Sequence, residues 1–280
     1  MAPRAPDGER LMKNRRWLWV AAVVITLASA VYQRMSGPTY PVRGTVTIGG
    51  ERFSLRLNRT HPGPGDQPIV LNVPDAAVGG QVAWRRYPTN EPWQTLPLVR
   101  SGETLAAALP HQPVAAKLEY QVQLQRGNDK AAFPERPAVT RFRNEVPATV
   151  LIPHVLAMFL AMLFSTAAGL SALGRWPQAR REAMLCVALL LFGGFVLGPL
   201  MQWYGFGAWW TGVPFGWDLT DNKTLVAAVA WLWAAWQMRG GRQARAAIIV
   251  AAVATLAVFA IPHSVWGSEF KWDSLAIGTR

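Results

Sequence analysis

Four long apolar runs in the second half of the chain constrain the fold most strongly. The ranges 149–173, 183–202, 224–238 and 246–262 contain no charged residue. A helix rises about 1.5 Å per residue, so roughly 20 apolar residues cross the hydrocarbon core of a bilayer. We therefore expect a bundle of four transmembrane helices in residues 149–262. The run 224–238 is the shortest, at about 22 Å as a helix, and must extend into its flanking residues.

A fifth apolar segment, residues 17–32, lies near the N-terminus after a basic stretch. The sequence Leu27–Ala30 near its end is typical of a signal-peptide cleavage site. Trp17, Trp19 and Tyr32 at its two ends are instead typical of an uncleaved membrane anchor, which we favour. Both interpretations place the following residues outside the cytoplasm. The basic residues before the segment are Arg4, Arg10, Lys13, Arg15 and Arg16.

The positions of the arginines predict the orientation of these segments. The loops 175–181 and 239–245 contain three arginines each, whereas the loop 203–223 contains only one basic residue, Lys223. Short loops rich in arginine face the cytoplasm, so residues 33–148, the loop 203–223 and the C-terminal tail are expected on the outer side. The formal net charge of +12 forms no concentrated basic patch on the cytoplasmic side, and we expect no nucleic-acid partner.

Between the first two apolar segments, the sequence pattern is that of β-strands. Apolar residues alternate on both sides of Gly49-Gly50, which is a strong hairpin signal, and further alternating runs follow up to residue 143. Seven or eight short strands with turn-rich gaps favour a β-sandwich. In Lys117–Leu124, Tyr120 resembles the corner tyrosine of fibronectin type III and immunoglobulin-like domains, with Trp84 as the core tryptophan. Such domains mostly bind other proteins.

The predicted fold is therefore a mixed membrane protein with an N-terminal transmembrane helix, an extracytoplasmic all-β sandwich and a C-terminal four-helix transmembrane bundle. The predicted divisions are a cytoplasmic N-terminus and signal-anchor helix, the sandwich, the bundle and an outer tail. In that order, they cover residues 1–35, 36–148, 149–262 and 263–280.

The outer loop 203–223 is unusually aromatic, with seven aromatics among 21 residues. We expect it to lie along the headgroup layer as an interaction rim for lipid or a protein partner. The rim residues are Trp203, Trp209, Trp210, Phe215 and Trp217. Asp218 and Asp221 follow the rim. Thr220 or Asp221 can cap the next helix, whose dipole favours acidic residues in its first turn. Alternatively, the two carboxylates coordinate a cation near the membrane surface or pair with Lys223.

His154 and His263 are the candidate ligands. Each lies next to a proline at the outer end of a predicted helix, so the topology places both at the same depth. Two neutral imidazoles can hold a b-type haem, or a transition metal together with Asp218, Asp221 and Glu269. The simpler interpretation, which we prefer, is that each ring satisfies a helix end or a loop carbonyl and that no cofactor binds.

Two segments resemble the signature of a family of uncharacterised bacterial inner-membrane proteins. They are Trp210–Thr224, which reads WTGVPFGWDLTDNKT, and Pro262–Glu269, which reads PHSVWGSE. The likeness extends from about residue 140 onward. It supports a bacterial source and implies that the outer rim of the bundle matters. With the orientation given by the arginines, we expect a multi-pass protein of the bacterial inner membrane with the N-terminus cytoplasmic and residues 33–148 and the C-terminus periplasmic. The resemblance carries no further information on topology. It implies no activity.

These observations favour a non-enzymatic accessory or scaffold subunit of a larger inner-membrane complex of respiratory or photosynthetic type. It would dock to other inner-membrane proteins and to lipid through the sandwich and the aromatic rim, and we assign no catalytic residue. The alternative is a redox protein that binds b-haem or a metal through His154 and His263. A third hypothesis is an enzyme on a lipid-linked substrate that uses Asp218 or Asp221 with His263 as acid and base.

Overall fold

The chain combines a β-rich region with apolar helices, as the sequence predicts. A computed structural model describes residues 7–263, 265–267 and 269–278. It divides the chain into a helical unit, Met1–Gly37 with Val146–Val265, and a β unit, Pro38–Glu145 with Trp266–Arg280. Arg4 of the basic stretch and two serines of the tail motif, Ser264 and Ser268, lie outside the described residues.

In the described part of the helical unit, the first helix precedes the β unit in sequence and the others follow it. A π-helical segment, Phe192–Leu197, joins α3 to α4, and a short 3-10 turn, Arg239–Gly241, precedes α6. The helices are α1 (Asp7–Ser36), α2 (Ala148–Leu173), α3 (Ala179–Leu191), α4 (Gly198–Phe206), α5 (Leu219–Gln237) and α6 (Arg245–Ala260).

Among the described residues, three helical segments are long and apolar enough to cross a membrane. They are Arg15–Ser36, Ala148–Leu173 and Ala179–Phe206, and Arg245–Ala260 is a shorter apolar helix. The shortest apolar run lies within α5, which begins at Leu219 and thus adds a polar first turn to that run.

Small residues allow the helices of this unit to pack closely. A Cβ atom on Gly169 of α2 would lie 2.7 Å from the Cβ of Ala252 in α6, and a Cβ on Gly194 would lie 2.6 Å from the Cγ2 of Thr224 in α5. These distances are too short for real Cβ contacts, so both positions need glycine. Close contact through small residues is the packing expected of helices that lack a hydrophobic driving force in lipid.

The first helix packs against the rest of the helical unit. Ala22 is fully buried, the ring of Trp19 meets the ring of Phe164 edge-on at 5.7 Å, and the Gln33 amide donates to the carbonyl of Phe259 at 2.7 Å. The cleavage-like sequence Leu27–Ala30 lies inside this helix. Cleavage after this sequence would remove the contacts of Trp19 and Ala22, whereas Gln33 would stay in the chain.

The β unit contains two larger sheets and two hairpins. A five-stranded sheet has the order β3-β10-β9-β5-β6, a three-stranded sheet the order β4-β8-β7, and β1-β2 and β11-β12 are the hairpins. The strands are β1 (Val42–Ile48), β2 (Glu51–Leu57), β3 (Thr60–Pro62), β4 (Gln67–Asn72), β5 (Gly79–Tyr87), β6 (Gln94–Pro97), β7 (Val99–Ser101), β8 (Thr104–Leu109), β9 (Lys117–Arg126), β10 (Asp129–Arg143), β11 (Glu269–Lys271) and β12 (Ala276–Gly278).

One hydrophobic core joins the two larger sheets and the β1-β2 hairpin. The inward residues of the strands alternate with outward ones, as in the alternation of buried and exposed residues along β4. Trp84 and Tyr120 both belong to this core, where the sequence places them. The hydroxyl of Tyr120 donates to the carbonyl of Asn58 at 2.6 Å, which lies far away in sequence. Tyr120 thus connects β9 to the segment after β2.

The C-terminal hairpin β11-β12 belongs to the β unit, although the sequence suggests a separate tail. Glu269 forms an ion pair with Lys117, and the amide of Phe270 donates to the carbonyl of Ala115 at 3.3 Å. The indole of Trp272 lies 4.7 Å from the guanidinium of Arg86.

The buried phenol of Tyr120 gives the β unit a sensitivity to alkali. Burial raises the pKa of Tyr120 above its ordinary value of 10. The unfolded chain therefore loses this proton from about pH 10 upward while the folded chain keeps it, so stability falls as the pH rises through that range. We expect Tyr120→Phe to lose about 1 kcal/mol at neutral pH, because the Asn58 carbonyl loses its donor, and to show a weaker decline above pH 10. Thermal midpoints of both proteins between about pH 9 and pH 12 test this, and parallel declines would contradict it.

Candidate functional site

Polar side chains of the helical unit gather where α2, α5 and α6 meet the π-helical segment. The ring of His154 contacts the carbonyl of Gly193 through Nδ1 at 2.9 Å. A carbonyl only accepts, so Nδ1 carries the proton and the neutral ring keeps its lone pair on Nε2. Gly193 lies in the π-helical segment, and such segments interrupt the regular backbone bonding of a helix, often at functional sites.

Lys223 is the most deeply buried charged side chain of this group. Its residue is only 2% exposed although it lies in the first turns of α5. The ammonium donates to the carbonyl of Ile261 at 2.8 Å and to Nδ1 of His263 at 3.3 Å, and it lies 6.0 Å from the ring of Phe259. Lys223 therefore fastens the start of α5 to the end of α6.

The structure brings His154 and His263 to the same end of the helical unit. His263 interacts electrostatically with Lys223, His154 and Asp218. Its Nδ1 accepts from Lys223, so in this neutral ring the proton is on Nε2. The two predicted ligands therefore differ, because only His154 keeps Nε2 unprotonated.

Asp218 and Asp221 organise the loop that precedes α5. Asp218 is the N-cap of the helix, and its Oδ1 accepts from the amide of Thr220 at 2.8 Å. Oδ2 of Asp221 accepts from the amide of Thr211 at 2.7 Å, from Gln202 at 2.8 Å and from the Thr211 hydroxyl at 3.1 Å. Both acidic residues are buried. The cap is thus Asp218, rather than Thr220 or Asp221 as expected from the sequence, and Asp221 holds the loop.

Asn222 and Gly212 fix the loop further. Oδ1 of Asn222 accepts from the amide of Val213 at 2.8 Å. A Cβ atom on Gly212 would lie 2.7 Å from the Cβ of Asp221 and 2.8 Å from Oδ1 of Asn222. Only glycine allows the loop to lie this close to the first turn of α5.

The rim aromatics lie on this anchored loop and on the end of α4. The rings of Trp203 and Trp209 stack at 4.9 Å, and Trp210 stacks on Phe195 at 5.5 Å. Phe215 and Trp217 project from the loop and are 81% and 72% exposed. Two rim residues are therefore open surface on a backbone that buried hydrogen bonds hold in place.

Glu269, the fifth candidate metal ligand, belongs to the β unit. It lies in β11, where its partner is Lys117. Within the described ranges, no group of three or more His, Cys, Asp or Glu side chains is arranged to hold a metal ion. The Lys223 ammonium also lies against Nδ1 of His263 and would repel a bound cation or haem iron. The residues present are thus a poor fit to a metal or to a bis-histidine haem.

Three features of this site are not evident from the sequence. The π-helical segment leaves no sequence pattern beyond Gly193-Gly194, and Gln202 is an isolated amide. The role of Lys223 had a weak signal, since it is the only basic residue of the outer loop and directly precedes an apolar run.

Fold and site together define a protein with apolar helices of membrane-spanning length, a β unit and an aromatic loop held by buried carboxylates. No protein-family model and no curated protein matches the chain.

Proposed function

We propose that the chain is a non-enzymatic accessory or scaffold subunit of a larger bacterial inner-membrane complex, of respiratory or photosynthetic type. The observation that carries this proposal is the pairing of exposed Phe215 and Trp217 with the buried Asp221 carboxylate that fixes their loop. Aromatic side chains on a rigid backbone lose little entropy on binding and are the residue types that dominate protein interfaces.

The polar group near His154 supports the same role. Asp221, Asn222 and Lys223 all use their polar atoms in bonds that hold the loop and the helix ends. Side chains whose polar atoms already form such bonds hold the backbone of the rim in place. This is the reason for preferring a docking role over acid-base chemistry by Asp221 and His263.

We further propose that the β unit is an immunoglobulin-like sandwich on the periplasmic side. Its support is the strand order, with β4-β8-β7 facing β10-β9-β5-β6 and with β3 parallel to β10 at one edge. Trp84 on β5 and Tyr120 on β9 occupy neighbouring core positions in register. Folds of this kind commonly serve in protein-protein contact, which fits a docking subunit.

The corresponding proposal for the helical unit is a bundle of four spans after the N-terminal helix. The four would be α2, the continuous segment α3 to α4, α5 and α6. Four crossings return the chain to the side of the membrane on which the first part of the β unit lies. An even number is needed because β11-β12, which follows the crossings, belongs to the same unit. The arginines of the loops between α2 and α3 and between α5 and α6 then lie in the cytoplasm.

Alanine at both exposed rim positions tests the docking role. We expect Phe215→Ala with Trp217→Ala to leave the chain folded but to reduce partner recovery at least about tenfold, because buried aromatics act as hot spots. The measurement is quantitative mass spectrometry and blue-native electrophoresis of the tagged chain from its native membranes. The matched control is Phe159→Ala with Trp236→Ala, which removes one exposed phenylalanine and one exposed tryptophan from the helices. Equal recovery with both variants contradicts the proposal, and so does a wild-type chain that migrates alone.

A further inference from the structure

The β1-β2 hairpin has one apolar and one basic face. Its inward residues, among them Val46, Phe53 and Leu55, belong to the β core. The opposite face consists of three register pairs that are all exposed. These pairs are Arg43 with Arg56, Thr45 with Ser54, and Thr47 with Arg52.

The three arginines of this face have no acidic partner. Within the described residues, none of them lies within ion-pair distance of a carboxylate, and only Arg43 contacts an aromatic ring, that of Tyr40 at 5.8 Å. Arg43 and Arg56 are also directly opposite in register. Like charges in that arrangement destabilise a hairpin, so the chain alone gives no reason for placing them together.

We propose that this face, defined by Arg43, Arg52, Arg56 and the three hydroxyls between them, binds the phosphates of anionic phospholipid headgroups. A guanidinium donates two parallel hydrogen bonds to phosphate oxygens, and a hydroxyl adds a single one. The face has several donors and an exclusively positive formal charge. It therefore complements a surface of closely spaced phosphates. This inference does not depend on the proposed docking role.

Chain length favours lipid over an acidic protein as the occupant. Seven positions separate Arg43 from Ser36, the last residue of the first helix. An extended chain covers at most about 3.6 Å per residue, so Arg43 stays within about 25 Å of the end of a helix that is long and apolar enough to cross a membrane. The tether keeps the local concentration of headgroups high, so weak individual contacts suffice for binding.

Arginine modification of the full chain in lipid nanodiscs tests this binding. The chain is reconstituted in phosphatidylcholine alone or with about one third phosphatidylglycerol, treated with phenylglyoxal and analysed by peptide mass spectrometry. Each arginine that contacts headgroups is expected to react about fivefold more slowly in the anionic nanodiscs. The protection of Arg43, Arg52 and Arg56 is expected to disappear at high salt. Arg136, an exposed arginine elsewhere in the β unit, serves as the internal reference.

Two matched double variants separate this face from general surface charge. Arg43→Gln with Arg56→Gln is expected to abolish the protection of Arg52. Lys130→Gln with Lys271→Gln removes the same charge from other exposed sites, keeps Arg136 as the reference and is expected to leave the protection intact. Equal reaction rates of the three arginines in both kinds of nanodisc overturn the proposal. Protection of Arg52 that survives the first double variant also overturns it.

Discussion

Replacing Asp221 by alanine is expected to destabilise the helical unit by about 3 kcal/mol and to release the aromatic loop. The substitution leaves the amide and hydroxyl of Thr211 and the amide of Gln202 without their common acceptor. Hydrogen bonds to a charged group are among the stronger ones, and buried donors without an acceptor carry a further cost. Asp221→Asn can keep an oxygen at the position of Oδ2 but removes the negative charge, so an intermediate loss is expected.

The thermal midpoint of the purified chain should fall by roughly 6–12 °C for Asp221→Ala. Hydrogen exchange in the loop 207–218 should become faster in the same variant, while exchange in the β unit stays unchanged. Asp129→Ala is the control, because Asp129 is an exposed turn residue whose loss should change stability by less than about 0.5 kcal/mol. Unchanged exchange in the loop would show that the carboxylate does not hold it.

Patterns with a short period were predictable from the sequence. The uncharged runs predict the apolar helices because burial in lipid requires continuous apolar sequence. Strict alternation predicts strands such as β2 and β9, since successive side chains of a strand point to opposite faces. The core positions of Trp84 and Tyr120 follow from the same alternation.

Contacts between distant residues were not predictable in the same way. The bond between Lys223 and the carbonyl of Ile261 depends on how α5 and α6 pack, which no local pattern encodes. The ion pair between Lys117 and Glu269 likewise joins residues 152 positions apart, and no local pattern in the sequence indicates it. The topology predicts a shared depth for His154 and His263 and says nothing of their tautomers, which depend on Gly193 and Lys223.

Substitutions of Lys223 are expected to separate the effect of its volume from that of its charge. Lys223→Met keeps most of the buried volume and removes the ammonium. Its two acceptors are the carbonyl of Ile261 and the ring of His263. Because removing a buried cation also removes its desolvation cost, we expect Lys223→Met to change stability by less than about 1 kcal/mol.

Lys223→Glu has a similar volume but is expected to be severely destabilising at neutral pH. A carboxylate there would face the Ile261 carbonyl and would replace the electrostatic attraction between Lys223 and Asp218 with repulsion. It can avoid this only by keeping a proton, which at pH 7 costs roughly 4 kcal/mol relative to the ordinary pKa of glutamic acid. The cost falls to about 1 kcal/mol at pH 5, because a raised pKa makes stability decline as the pH rises.

The thermal midpoints of Lys223→Met and Lys223→Glu should therefore differ by roughly 8–16 °C at pH 7 and approach each other at pH 5. Lys130→Glu, at an exposed position of the β unit, is the control for charge reversal and should match the wild type at both pH values. A difference between the two Lys223 variants that does not depend on pH would mean that packing, rather than burial of charge, limits the residue at this position. Equal midpoints at pH 7 would place the Lys223 side chain in water, contrary to its contacts with α6.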